Sequence, residues 1–152
     1  YRFTVNEEIT VTDLGVWNAD QTGQMNTAHP VGLWDDTETL LADVTVETTG
    51  TVVGDWIYAS IAPVTLSTGT TYTVAVVYYS DDDDYYISSA SSASVDPAVT
   101  WVNAVYPETG SLGLTYPAMD SAPSSVGRFG PNFLFDETAL SRSSWGSIKA
   151  SF

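Results

Sequence analysis

The stretch that decides the fold is Ile9–Trp17, ITVTDLGVW. Ile9, Val11, Leu14 and Val16 supply its apolar positions, and Thr10, Thr12 and Asp13 the polar ones. The period is two, as in a strand with one face against a core. A one-residue slip at Asp13 and Leu14 predicts a β-bulge there.

Working outward, residues 2–5 predict a short strand before it, and residues 18–30 (NADQTGQMNTAHP) a polar loop after it. Residues 29–35 (HPVGLWD) and 40–46 (LLADVTV) read as a hairpin whose turn chemistry comes from the intervening DDTET. Residues 56–61 (WIYASI) and 64–66 are further strands, closed by a turn over residues 67–70 (STGT). The run with the strongest β propensity, residues 71–79 (TYTVAVVYY), is expected to be a central strand, interrupted by residues 80–84. Residues 88–94 read as a serine-rich loop, residues 99–105 (VTWVNAV) as a strand and residues 108–126 as a long irregular segment. Residues 132–135 form the last strand, after a turn at Gly130 and Pro131. Helical periodicity is missing before residue 137. The pattern predicts an all-β, antiparallel β-sandwich, jelly-roll-like, over residues 1–137, with an irregular tail over residues 138–152.

Composition narrows the partners. With 152 residues and 43% hydrophobic content, the chain can build a core without disulfide staples, and it contains no cysteine. Nineteen acids against four bases give a net charge of −15. Such a surface repels nucleic acid and anionic lipid and suits a dispersed protein, a cation binder or a partner of something basic. Abundant Thr, Ser, Val, Gly and Tyr with almost no Lys match secreted β proteins, so an extracellular or cell-surface location is expected. No stretch reads as a membrane span, and a first residue other than Met reads as a processed or trimmed chain.

The segments YRFTVN, ITVTDLGVW, HPVGLWDD with TLLADVTV, YASIAPVTLSTGTTYTVA and GPNFLF occur in order over residues 1–135. Together they resemble a secreted bacterial domain of unknown function found in PEP-CTERM (exosortase-sorted) surface proteins. The resemblance implies an extracellular β-sandwich exported through a signal peptide, and it implies no enzymatic activity. After GPNFLF the chain departs from that pattern: SRSSWGSIKASF stands where a Pro-Glu-Pro motif, apolar span and Arg cluster would follow.

Two features could bind metal. Asn18, Asp20, Thr22 and Gln24 place oxygen atoms on alternate residues around Gly23, the spacing of the first half of an EF-hand-like Ca²⁺ loop, although His29 falls where its closing acid belongs. The alternative is a plain polar loop. The run Asp81–Asp84 sets four carboxylates side by side, but alternate strand residues point to opposite faces, so a solvated acidic loop is expected. Catalysis finds no foothold: His29 is the only histidine, G-x-S-x-G is missing, and no carboxylate pair stands out. The chain is therefore expected not to be an enzyme.

Two binding functions remain. In residues 138–152 there are no acids, yet Arg142 and Lys149 accompany Trp145, Ile148 and Phe152, making a basic, apolar tail on an acidic body. Either this tail is a disordered terminus or it docks, on the body itself, on a neighbouring copy or on sorting machinery, with the three apolar groups as anchors and the two cations steering. Docking on a neighbouring copy predicts a homo-oligomer or filament, and a structural role in a surface matrix is the first expectation. The other expectation is a carbohydrate-binding module that presents Trp34, Tyr85, Tyr86 and Trp101 to an extracellular glycan. Ordinary core packing is the competing reading of those aromatics.

Overall fold

The computed structural model describes residues 1–19, 21–80, 83–90, 92–108, 113–121, 127–137 and 149–151. Its strands are β1 (Arg2–Val5), β2 (Ile9–Trp17), β3 (His29–Trp34), β4 (Leu40–Val46), β5 (Thr51–Val53), β6 (Trp56–Leu66), β7 (Thr71–Val76) and β8 (Ile87–Ala90). They continue as β9 (Ser92–Ser94), β10 (Val99–Asn103), β11 (Val105–Tyr106), β12 (Met119–Asp120), β13 (Gly127–Phe129), β14 (Pro131–Glu137) and β15 (Lys149–Ser151). No helix occurs among the described residues.

Two antiparallel sheets make the sandwich, one ordered β10-β1-β7-β3-β4 and the other β14-β2-β6-β5. Ribbons β11-β12, β13-β8 and β15-β9 flank them. As expected, β7 is the central strand of its sheet, although it ends at Val76 rather than Tyr79. The organising strand β2 is held on both sides, by β14 and by β6. Its bulge falls one residue before the predicted slip. Val11 faces Val64 while Asp13 faces Ser60, which sets Thr12 against residues 61–63 of β6. Pro63, which has no amide hydrogen for a ladder, sits in that irregular stretch. The two strands expected over residues 56–66 are thus one bent strand.

The two sheets share one core. Phe3, Leu33 and Val74 from the first join Val11, Leu14 and Phe133 from the second, all essentially inaccessible to solvent. Each such side chain contributes about 1.5–3 kcal/mol by leaving water. The Phe3 and Phe133 rings stack at 4.7 Å with an interplanar angle of 27°, fastening β1 to β14 across the sandwich.

Two sequence expectations need correction. The serine-rich stretch is not a loop: β8 pairs with β13, and β9 with β15. Backbone pairing asks nothing of side chains, so small polar residues can form a ladder without apolar alternation. The strand expected over residues 99–105 breaks at Ala104, whose carbonyl accepts from the Ser121 amide at 2.9 Å. Strand β5 went unpredicted. In the tail, Lys149–Ser151 pair with Ser92–Ser94 of the same chain. Arg142, Trp145, Ile148 and Phe152 lie outside the described residues.

Candidate functional site

A cleft of about 290 Å³ opens where β7 ends, walled by Tyr1, Tyr78, Tyr86, Tyr106, Leu114 and Arg128 among others. Past Val76 the chain leaves the sheet, and the segment that follows supplies Tyr78 and Tyr86. One buried pair ties that segment to the start of β3. His29 is completely buried at the start of β3. Its Nδ1 lies 2.8 Å from the Val77 carbonyl and its Nε2 lies 3.0 Å from Asp84 Oδ2. The same carboxylate accepts from the Asn26 and Thr27 amides at 2.9 and 3.0 Å, and from Asn26 Nδ2 at 3.2 Å. A carboxylate left alone at that depth would cost several kcal/mol, so the acid is stable there because it is saturated with donors.

This corrects the reading of Asp81–Asp84 as a uniformly solvated run. The Asp84 side chain is only 8% exposed and ties two loops together. Asp83 is exposed, and Asp81 and Asp82 lie outside the described residues. The His29 ring also packs on Tyr78 and Tyr79, with centroids at 5.0 and 6.1 Å.

The floor beneath the tyrosines is bare backbone. A Cβ on Gly130 would come within 2.8 Å of the Tyr78 ring and hydroxyl and within 2.9 Å of Tyr86 Cβ. Only glycine lets Tyr78 and Tyr86, whose rings are 5.9 Å apart, settle there. On the opposite wall, Asp120 anchors residues 113–121. It forms an ion pair with Arg2 and accepts from Asn103 Nδ2 at 3.0 Å. Tyr116 meets the Trp34 ring edge-on at 6.1 Å.

The polar groups of the cleft are few. Arg128 is half-buried, its Nε is fully shielded without a hydrogen-bond partner, and it makes no ion pair among the described residues. The Tyr1 hydroxyl is likewise buried and unbonded; burial pushes this phenol well above its ordinary pKa, so it stays neutral. The described lining contains no carboxylate. Exposed tyrosine faces beside an unpaired guanidinium can stack on the C–H face of a ring and donate hydrogen bonds to its oxygens.

The sequence-predicted residues divide. Of the four aromatics, Tyr86 alone lines the cleft, at 41% exposure; Tyr85 is exposed next to it at 58%. Trp34 is buried at 4% exposure and cannot be a platform. It sits two residues from Gly32, on the same face of β3, and its indole fills the space where a Cβ would come within 2.5 Å. Trp101 is paired across from Phe3 and turns inward against Phe129, its Nε1 buried.

In the expected Ca²⁺ loop, Asn18 is buried, and its backbone bonds Asp55 and Gln21. The Thr22 hydroxyl donates to the Gln24 carbonyl at 2.9 Å, so two of the four expected oxygens bond each other. Asp20 lies outside the described residues, and among the described residues no three His, Cys, Asp or Glu side chains gather as a metal set. Sequence reasoning missed Arg128, Tyr1, Tyr78 and Tyr106. The available signal was Arg128 itself, the only cation between Arg2 and Arg142.

No curated protein and no solved structure gives a significant match to the chain. A family model matches residues 1–122 and stops before β13 and β14. GPNFLF, the last segment of the expected resemblance, therefore lies beyond the match. With most of its length matched, the chain belongs to the family described as Domain of unknown function (DUF4082).

Proposed function

We propose that this chain is a non-catalytic, glycan-binding module of a secreted bacterial surface protein and that the tyrosine-walled cleft is its binding site. One observation carries the reading. In a body that buries most of its aromatic residues, Tyr86 and Tyr106 stay 41% and 43% exposed on the walls of one concave site. Solvent-exposed aromatics gathered in a concavity mark ligand sites more often than chance surface does. The non-catalytic part is supported by His29, which is buried in its pair with Asp84. Secretion is supported by composition and by the resemblance. A glycan array probed with the chain and with Tyr106→Ala tests the reading: specific binding that the substitution weakens at least tenfold is expected, and an array with no binder would reject it.

A second reading, assembly through the tail, is favoured by β15. Its three residues add as a strand to β9, and the same addition made onto a neighbour's β9 would link copies head to tail. Light scattering on the whole chain and on a chain ending at Glu137 tests it. Oligomers from the first and monomers from the second are expected, and monomers from both would end it.

A further inference from the structure

Resting on the glycan reading of the cleft, we propose that Arg128 makes the site selective for acidic sugars, binding the carboxylate of a uronic acid while the tyrosine walls take the ring. Arg128 is the only cationic side chain in the described lining, where no acid opposes it. Its Nε–H is shielded from solvent and has no acceptor. The terminal Nη atoms of the same guanidinium are not shielded in this way, so they are the donors that a ligand in the cleft meets. A sugar hydroxyl meets one N–H at a time. A carboxylate is planar, and its two oxygens match the two parallel Nη–H bonds at the end of a guanidinium, forming the stronger, charge-assisted pair.

The surroundings fit that assignment. The cleft volume of about 290 Å³ lies at the small end of ligand sites, suited to a short stretch of sugar chain and not to a long groove. The net charge of −15 opposes an anionic ligand at a distance. Screening confines that repulsion to about 8 Å at physiological ionic strength, and the contact with Arg128 is made well inside it. The body's charge then turns away anions that lack the tyrosine contacts, which sharpens selectivity.

The test is calorimetric titration with tetrasaccharides of galacturonate, glucuronate and mannuronate, each beside its methyl ester. The ester keeps the ring faces and removes the charge. At least one acid is expected to bind tenfold or more tightly than its ester. Arg128→Gln brings that ratio to about one, and Arg128→Lys, a point charge without the fork, leaves it in between. Because the ratio is read within each variant, partial loss of folded protein cancels. Equal binding of acid and ester overturns the selectivity and leaves the glycan reading intact. A sulfated tetrasaccharide that outbinds every uronate overturns the carboxylate assignment. If no acid, ester or neutral tetrasaccharide of galactose, glucose or mannose binds, the cleft reading falls, and the selectivity with it.

Discussion

Asp84 Oδ2 sits 3.0 Å from Nε2 of His29, while the other ring nitrogen of His29 lies 2.8 Å from the Val77 carbonyl. A carbonyl only accepts, so the ring donates to it from Nδ1, and Nε2 faces the carboxylate. The pair joins the segment after β7 to the start of β3 and so holds Tyr78 and Tyr86 at the cleft. Removing either partner leaves the other buried and uncompensated. Asp84→Ala or His29→Ala is expected to cost about 3–5 kcal/mol in urea unfolding. Asp83→Ala, one residue away and exposed, should stay within about 0.5 kcal/mol. Similar losses from Asp83 and Asp84 would remove the pair from its structural role.

Gly130→Ala probes the cleft floor. The new Cβ would press on Tyr78 and Tyr86, and overpacking of this kind costs about 1–3 kcal/mol. Displacement of the two rings should abolish glycan binding at temperatures where the protein is still folded by circular dichroism. Unchanged binding affinity would show that the rings need not lie where they are.

The hairpin turn offers an acid-side readout. Hydrogen bonds from the Thr37 hydroxyl and from the Thr39 and Thr37 amides hold the Asp35 carboxyl below its ordinary pKa. A depressed pKa contributes stability that is present above the unfolded value, near 3.9, and is lost as pH falls through the folded one. Asp35 should titrate below that value by NMR, and Thr37→Val should raise its midpoint. A midpoint at or above the unfolded value refutes this account of the turn.

At alkaline pH the sign reverses. Burial raises the Tyr58 phenol well above its usual range, although Asn132 Nδ2 donates to its oxygen at 2.9 Å, and Tyr1 is raised in the same direction. Groups with raised values contribute stability that is complete below the unfolded pKa, near 10, and is lost as pH rises above it. Ultraviolet titration should show a late class of tyrosines that ionises only as the protein unfolds. Tyr58→Phe should remove one member of that class. A single titration shared by all tyrosines before unfolding would contradict it.

Because the family match ends at residue 122 while β14 completes the sheet around β2, the folded unit is longer than the matched segment. A chain ending at residue 122 is expected to aggregate or to lack a cooperative melt, since Phe133 and Phe135 leave the core and one side of β2 opens. A chain ending at Glu137 should melt cooperatively. Cooperative folding of the shorter chain would show that β14 is dispensable.

How much of this was legible follows from what each residue's neighbours are. Ile9–Trp17 was readable because its alternation is written in consecutive residues, and the turn at Asp35 because its partners stand two and four residues on. Asp84 could not be told from Asp81, Asp82 and Asp83, because its partners Asn26, Thr27 and His29 lie far back in the chain. Trp34 is buried because Gly32, two residues back on the same face, leaves a seat for its ring, a packing relation that propensity does not encode. The cleft brings together β7's end, Tyr86, β11, the segment of Leu114, and Arg128, a meeting that no local pattern encodes.

The stacking of Phe3 on Phe133 has a kinetic consequence. The first strand of the sandwich waits for β7 and β10, and the second waits for β14, so the contacts that close the core join the two ends of the folded unit. Chains dominated by such distant pairings fold slowly, in milliseconds to seconds. Synthesis adds only about 5–20 residues per second, so the growing chain spends seconds with β1 and β2 made and their last partners unmade. During that interval the growing chain is an open, highly charged polymer whose first two strands lack the partners that close the core.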